Sequence, residues 1–515
     1  MQIGAEQMKD EIFFRDKLED EWEANEVYAI LSECDKDFEP PLSERGSTVQ
    51  KTWEKKSGDG VRNYFNEVAK QHTLLLKREK KIIAFLSFRS MEECEALKDY
   101  RDICYFTTLC IRKEYRGQGL ALVLYQKAKE YVEESSRYTV MALRTWSTNK
   151  TQLHLMEKMD FHCETRLKND RGEGIDTLYF VKEITGKGIR AYGYTIGNGK
   201  CGIRNTITDV PGVKVGHYTV RKGKNQTGVT VIIPCDGFVY ERKPLAAVYA
   251  LNGFGKTTGL PQIMELGTLE SYICLTNTLN VGVVQQALVD IMVKENEDLT
   301  SVNVVVGECN DGYLNAIRDC VVTKEDVYEA YRDCKKNFEL GSVGAGRGMS
   351  CFEMSGGIGT SSRIFEIDGN TYTLGVLVLS NFGLREQYLL DKVEGNQLPL
   401  EQEKGSIMMI IATDAPLSDR QLHRVCNRMP VGLALTGSHM GNGSGDIAIA
   451  FSTANRFGNE EIHTLKQIND NKINIVFDAA IESCKEAVHL SLIENEEVTG
   501  QSGHVRNCLN QVKIS

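Results

Sequence analysis

A serine that follows glycine at the mouth of an apolar run is a reactive arrangement. In this 515-residue chain Gly405-Ser406 opens directly into IMMIIATDAP. A glycine carbonyl is open to attack, and without a side chain the peptide can bend out of plane toward the neighbouring hydroxyl. Attack by the Ser406 hydroxyl on the Gly405 carbonyl would turn the peptide bond into an ester, which water can hydrolyse. Ser406 would then carry a free α-amine beside its hydroxyl, and such an amine titrates at about 7.7–8.0, suited to local proton transfer. Gly443-Ser444-Gly445-Asp446 opens a second apolar strand and sets a hydroxyl and a carboxylate two residues apart. On its own, Gly-Ser entering a strand is more often the text of an ordinary turn. G-x-S-x-G and H-E-x-x-H do not occur. His217, His423, His439, His463, His489 and His504 lie in no recognised catalytic context, so chemistry in this half must use another base.

Near the other end, Arg116-Gly117-Gln118-Gly119-Leu120-Ala121 stands between an apolar run and a helical pattern. Glycines at 117 and 119 let the backbone adopt dihedrals closed to other residues and approach a ligand closely. The helix start that follows has amides without intrahelical partners at the positive end of the dipole, which suits a phosphate. No G-K-[ST] follows, so this is not a P-loop.

The elements that must position these groups fall into two sets. In the first 185 residues, 15–33 is expected to be an acidic amphipathic helix and TLLLKREKKIIAFLSFR a hairpin. YFTTLCI (strand) leads through the glycine turn into LALVLYQKAKEYVEESS, whose apolar residues at 120, 123, 124, 128, 131 and 132 mark one buried helix face. YTVMALRTW (strand), NKTQLHLMEKMDF (helix) and DTLYFVKEI (strand) complete the set. Residues 186–204 are glycine-rich and without periodicity, as a linker would be. Beyond them VTVIIP, LAAVYAL, VNVVVGE, YTLGVLVLSN, SIMMIIATD and DIAIAFSTA read as buried strands, with helical stretches within 267–293 and 417–435. A layered α/β or α+β domain is expected there.

The order hairpin, strand, R-G-Q-G-L-A, helix, strand, Asn-led helix resembles the GNAT superfamily of N-acetyltransferases over most of residues 1–185. The resemblance implies a mixed sheet flanked by helices, acetyl-CoA as cofactor and an amine as acetyl acceptor. It places the pyrophosphate on Arg116, Gly117, Gln118, Gly119, Leu120 and Ala121, and the pantetheine arm along the backbone of Leu109, Cys110 and Ile111. Asn149, Leu155, Lys158 and Phe161 match the family's next motif, whereas Met156 stands where it has a proton-donating tyrosine and Asp160 replaces its glycine.

The blocks NTITDVPGVKVGH, TGVTVIIP, AAVYALNGFGKTTGL, VVGECNDGYLNAI, VGAGRGMSCF, GSIMMIIATDAPL and GLALTGSHMGNGSGDIAIAFSTAN follow one another over 205–515. That order is the one expected of the L-aminopeptidase/D-esterase and β-peptidyl aminopeptidase family (peptidase family S58), and the second half is identified as a member of it. This implies a four-layer α-β-β-α sandwich resembling N-terminal nucleophile hydrolases, and self-cleavage between Gly405 and Ser406. Ser406 becomes the nucleophile, assisted by Ser444 and by Asp446, where the family usually has glutamate. Asn381, in VLSNFG, corresponds to an oxyanion donor, a contact typically contributing about 3–4 kcal/mol. Glu308 corresponds to the acid that binds a substrate's α-ammonium, and Asn310 and Tyr313 to lining residues. Short peptides, amides or esters are the implied substrates, and higher homo-oligomers the implied assembly.

Composition limits the alternatives. The net charge of 61 − 71 = −10 argues against a protein built to neutralise nucleic-acid phosphates. No run of about 18 apolar residues is present to span a bilayer. Fifteen scattered cysteines without a C-x-x-C pair offer no zinc ribbon, no metal site is expected, and reduced thiols in the cytoplasm are the expectation. All three tryptophans (Trp22, Trp53, Trp146) precede residue 150, whereas 38 of 46 glycines follow residue 185, so two unlike domains are joined. Two other readings stay open at this level: an acetyltransferase whose peptidase-like half is inert or regulatory, and a non-catalytic sensor of peptides and acetyl-CoA.

Overall fold

The computed structural model describes residues 10–45, 60–91, 94–98, 100, 103–134, 138, 140–184, 189, 194–202, 204–389 and 405–509. Of the 186–204 stretch read as a linker, residues 186–188, 190–193 and 203 lie outside the described residues, as does Lys404. The chain divides into two compact units, Met1–Ala191 and Tyr192–Ser515.

The first unit contains β1 (Asp10–Arg15), α1 (Glu21–Cys34), α2 (Gly60–Val68), β2 (His72–Arg78), β3 (Lys81–Met91), β4 (Ile103–Ile111), α3 (Leu120–Glu134), β5 (Val140–Trp146), α4 (Lys150–Lys158), β6 (His162–Leu167) and β7 (Thr177–Glu183). One sheet runs β1-β2-β3-β4-β5-β7-β6, antiparallel except at β4–β5. Leu124, Ala128 and Val132 of α3 and Met156 of α4 pack on one face with Leu86, Phe106 and Met141. Val27 and Leu31 of α1 and Tyr64 and Val68 of α2 cover the other with Leu75 and Phe85. The helix expected over 15–33 begins only at Glu21, because Asp20 caps it by accepting the Glu23 N–H at 2.9 Å. Residues 10–15 instead extend the sheet beside β2.

The β4–β5 pair is short. Its register runs from Ile103↔Val140 to Phe106↔Leu143 and stops, although both strands continue. The strands part into a wedge that opens a cavity.

The second unit contains β8 (Lys214–Lys222), β9 (Asn225–Ile233), β10 (Lys243–Gly253), α5 (Leu260–Leu266), β11 (Ile273–Asn277), α6 (Val281–Glu295), β12 (Val305–Cys309), α7 (Lys324–Arg332), the short pair β13 (Ser350–Cys351) and β14 (Met354–Ser355), β15 (Gly357–Ile367), β16 (Asn370–Asn381), β17 (Ser406–Thr413), α8 (Asp419–Cys426), α9 (Met429–Ala434), β18 (Gly445–Phe457) and α10 (Asn474–Ile493). A five-stranded sheet, β10-β18-β17-β16-β15, stacks on a four-stranded one, β12-β11-β9-β8. Between them Met408, Ile410, Leu377, Leu379, Ile447 and Ile449 meet Val215, Ile232, Leu275 and Val305. Val284, Leu288 and Ile291 of α6 and Val327 of α7 cover the outer face of the smaller sheet, and α8 and α10 cover the larger. The result is the four-layer α-β-β-α sandwich. A strand buried on both faces must be apolar throughout, and all eight residues of β17 are buried. Among the described residues, no helix is long and apolar enough to cross a membrane.

One buried cation ties a sheet to its helix. Arg363 of β15, 1% exposed, donates to Glu482 at 2.8 Å and to Glu486 at 2.7 Å, both on α10. It also donates to the Ser361 hydroxyl and the Ile196 carbonyl. Removing one partner of such a pair leaves an uncompensated buried charge. Arg363→Ala should lower the stability of the second unit by about 3–5 kcal/mol in denaturant unfolding, and a loss under 1 kcal/mol would mean that the pair is dispensable.

Candidate active site

In the second unit the site is built at the first residue of β17. Ser406 is paired with Asn381 of antiparallel β16 on one side and with Gly445 of parallel β18 on the other. That register aims the Gly445 N–H at the Gly405 carbonyl, 3.2 Å away. Gly405 itself has room for no side chain. A Cβ there would stand 2.8 Å from the Phe382 Cα and 2.9 Å from the Asn381 carbonyl oxygen, both immovable backbone atoms.

The Ser406 hydroxyl is buried and has no hydrogen-bond partner among the described residues. Its polar neighbour is the Cys309 thiol, outside normal hydrogen-bond geometry. Burial drives that thiol well above the usual range, the Glu308 charge adds to the rise and contact with Ser406 opposes it. Cys309 is therefore a protonated wall.

One residue before Gly445, Ser444 donates its hydroxyl to Asp446 Oδ1 at 2.6 Å. Asn252, at the end of β10, donates to Asp446 Oδ2 at 2.8 Å and to the Met440 carbonyl at 3.0 Å. Both carboxylate oxygens are thus held. Burial pushes the Asp446 carboxyl above its ordinary range, and the bonds from Ser444 and Asn252 oppose that rise.

Asn381 accepts the Ser350 N–H at 2.9 Å and donates one amide hydrogen to the Asn310 carbonyl at 3.0 Å. Glu308, 3% exposed at the end of β12, accepts the Lys256 N–H at 2.8 Å on Oε1 and the Thr278 hydroxyl on Oε2. The side chain of Asn310 is exposed and turned back to its own loop, where it accepts the Gly312 N–H. Tyr313 lies stacked on His504 at 4.4 Å with the Arg506 guanidinium 4.0 Å from its ring. His217, His423 and His489 bond to Thr230, the Val248 carbonyl and Tyr388 respectively, all away from Ser406.

Asn252, Thr278, Cys309 and the Gly445 amide were not singled out from the sequence. Asn252 had a signal, since it stands at a strand end in the glycine-rich L-N-G-F-G-K. The others are placed by strand pairing alone.

In the first unit the β4–β5 wedge holds a cavity of about 570 Å³. Leu109, Cys110, Ile111, Arg116, Gly117, Gly119, Leu120 and Ala121 all line it. Gly117 and Gly119 have φ of 75° and 76°, and a Cβ on either would project into open space. The turn is thus left-handed, with α3 beginning at Leu120. Gln118 is the exception, as its side chain accepts from Arg78 at 2.9 Å instead of lining the cavity. Arg116 is held by Asp37 at 2.6 Å and donates to the Ile111 carbonyl at 3.1 Å. Cys34 lies beside it, its thiol drawn down to about 7 by its bond with Cys110 and by the Arg116 charge, against burial. Met156 is fully buried, whereas Tyr115 and Tyr125 line the cavity. Gln152 donates to the Tyr125 oxygen at 2.9 Å, leaving the Tyr125 proton free to be given elsewhere.

Comparison with known proteins agrees with both units. A model of peptidase family S58 matches residues 205–506, and one of the acetyltransferase (GNAT) family matches 26–161. The beta-peptidyl aminopeptidase BapA of Sphingosinicella microcystinivorans is 35% identical over 341 residues, 59% of this chain and 85% of that protein. Among solved structures, the PH0078 protein of Pyrococcus horikoshii OT3 is 47% identical with a TM-score of 0.59, covering 62% of this chain and 96% of that one. The l-aminopeptidase d-ala-esterase/amidase of Ochrobactrum anthropi, described as a variant among the Ntn hydrolase fold, is 31% identical with a TM-score of 0.58, over 63% and 95%.

The Asp446 environment has a measurable sign. Its folded pKa lies above the ordinary 3.8, so folding favours the protonated form, and the stability this group contributes is lost as pH rises through the folded value. Carbon-13 NMR titration should place Asp446 above 3.8. Asn252→Leu, which removes a donor that favours the carboxylate, should move it higher still. A downward move in that variant would show that Asn252 does not favour the carboxylate.

Proposed function

The chain belongs to peptidase family S58 and carries an acetyltransferase (GNAT) domain ahead of the peptidase, and from that premise we propose a self-processing serine aminopeptidase joined to an acetyl-CoA-dependent N-acetyltransferase. The acetyltransferase part is residues 1–185 and the peptidase part 205–515. The observation that carries the peptidase reading is the pairing at Ser406. A buried hydroxyl without a hydrogen-bond partner among the described residues follows a glycine whose carbonyl already accepts a backbone N–H.

Self-processing would begin with attack of Ser406 Oγ on the Gly405 carbonyl carbon. The carbonyl oxygen gathers charge against the Gly445 N–H, the Gly405–Ser406 C–N bond breaks, and the Oγ proton passes to the released amine. Water then cleaves the ester and leaves Gly405 with a carboxylate. In the mature enzyme the Ser406 α-amine takes the hydroxyl proton while Oγ attacks the substrate carbonyl, giving an acyl-Ser406 that water hydrolyses. Because the Ser444 hydroxyl gives its hydrogen to Asp446, its oxygen remains an acceptor for the Ser406 ammonium. The second amide hydrogen of Asn381 serves the oxyanion. Glu308 binds the ammonium of the substrate, a short peptide, aminoacyl amide or ester, which explains why removal starts at the amino end.

In the first unit the left-handed turn at 117–119 and the start of α3 fit a pyrophosphate, since the open side of both glycines leaves the approach clear. The β4 edge over Leu109–Ile111, freed by the parting of β5, offers backbone groups to the pantetheine arm. Acetyl-CoA supplies the activated acyl group. Tyr125 replaces the absent phenol at 156 as the proton donor to the leaving thiolate.

Intact-mass analysis tests the first half. The 110 residues after Gly405 should appear as a separate chain of about 12 kDa. Ser406→Ala should give a single 57.7 kDa chain without aminoacyl anilide hydrolysis, and residual hydrolysis in that variant would exclude Ser406 as nucleophile. For the second half, Gly119→Ala adds a side chain at a left-handed position and strains the turn by about 1–2 kcal/mol. Calorimetry should show acetyl-CoA binding at least about fivefold weaker than in the wild type, and unchanged affinity would remove the turn from the cofactor site.

A further inference from the structure

One arginine lines the first unit's cavity where the strands part, and two more stand behind its aromatic wall. Arg144 lies on β5 one residue beyond the last β4–β5 pair, where the wedge begins, and it lines the cavity together with Phe38 and Trp146. The rings of Phe38 and Trp146 meet at 6.0 Å. Behind them stand two further cations: the Arg45 guanidinium is 5.1 Å from the Phe38 ring, and that of Arg171 is 5.4 Å from Trp146. Both are oriented by backbone, Arg45 on the Pro40 and Glu39 carbonyls and Arg171 on the Glu39 carbonyl. Burial lowers the pKa of each, and the Arg144 charge lowers both further, a sign of one crowded field. Among the described residues lining the cavity, Asp37 is the carboxylate, and it faces Arg116 at the glycine turn.

Direction along the strands decides what this field meets. β4 runs from the wedge toward the glycine turn, with Phe106 deep and Ile111 next to the turn. A cofactor with its phosphates on residues 116–121 and its arm along Ile111–Leu109 carries its acyl group toward Thr107 and Arg144. The accepting amine must therefore arrive beside the Arg144 guanidinium, with those of Arg45 and Arg171 behind the Phe38 and Trp146 rings. A lone ammonium is repelled there, whereas an amine with a carboxylate is drawn in and held by a charge-assisted pair.

We infer that the acetyl acceptor is a small primary amine bearing a carboxylate, which Arg144 binds within the field of Arg45 and Arg171; this rests on the acetyl-CoA reading above. The amine nitrogen attacks the thioester carbonyl, the C–S bond breaks, Tyr125 gives its proton to the thiolate, and the proton lost from nitrogen restores the Tyr125 phenol. Free amino acids are the class of molecule that an aminopeptidase releases, so the reaction of the second unit supplies what the first consumes.

The test follows thiol release from acetyl-CoA with the full-length protein and two pairs of acceptors, L-leucine against isopentylamine and β-alanine against ethylamine. The members of a pair differ by the carboxylate, and none has an amide for the peptidase to hydrolyse. The carboxylate-bearing acceptors should show kcat/KM at least about tenfold higher. Arg144→Gln should erase that preference through KM, Arg144→Lys should recover part of it, and thermal unfolding checks that both variants fold. Equal use of both members of each pair, a preference that survives in Arg144→Gln, or acetyl-CoA binding with no acetylation of either acid would overturn the inference. Absence of acetyl-CoA binding in calorimetry would instead retire the cofactor assignment, and the inference with it.

Discussion

The chemistry of the second unit depends on one register. β17 lies between an antiparallel and a parallel neighbour, and its first residue is paired with Asn381 and Gly445 at once. A slip of one residue on either side would turn Ser406 to the opposite face of the sheet and carry the Gly405 carbonyl away from the Gly445 amide. The two-sided burial of β17 specifies that register, because all eight residues must find apolar or hydrogen-bonded surroundings. The polar groups nearby then have fixed neighbours: Ser444 and Asp446 stand at the mouth of β18, Asn252 at the end of β10, and Glu308 and Cys309 at the end of β12. Reactivity here follows from one end of the sandwich, where the ends of β10, β12, β16, β17 and β18 come together.

The first unit reaches a comparable result by the opposite device. There the site exists because pairing fails: β4 and β5 separate after Phe106 and Leu143, and the freed backbone of β4 faces a cavity. The glycine turn stands at the open end of the wedge and Arg144 at the closed end. A charged cluster such as Arg45, Arg144 and Arg171 raises the free energy of the fold through mutual repulsion. The Tyr179 oxygen, which accepts from Arg144, and the Glu39 carbonyl, which accepts from Arg45 and Arg171, offset part of that repulsion.

Much of the architecture was legible in the chain because its patterns are local. The hairpin of β2 and β3, the single apolar face of α3, and the two-sided apolar run of β17 each state their own burial. α10 did not, although it is the longest helix described. Its residues are buried on nearly every side, from Val476 to Ile493, so no amphipathic stripe marks it. β15 was missed for a related reason, since GIGTSSRIFEI is polar yet buried, and the partners that satisfy Thr360, Ser361, Ser362 and Arg363 lie far away in sequence.

Sequence alone determined which groups could react: a serine behind a glycine, a serine and an aspartate two apart, and a glycine turn ahead of a helix. These are properties of adjacent residues, and adjacency is what a chain records. Only the tertiary structure decided what those groups face. The amide at the scissile carbonyl, the asparagine that holds Asp446, the side chain of Gln118 turned away to Arg78, and Arg144 where the wedge closes are all set by contacts between distant segments. Such contacts form because burial of apolar strands fixes the register, and the polar groups then take whichever partners that register brings within reach.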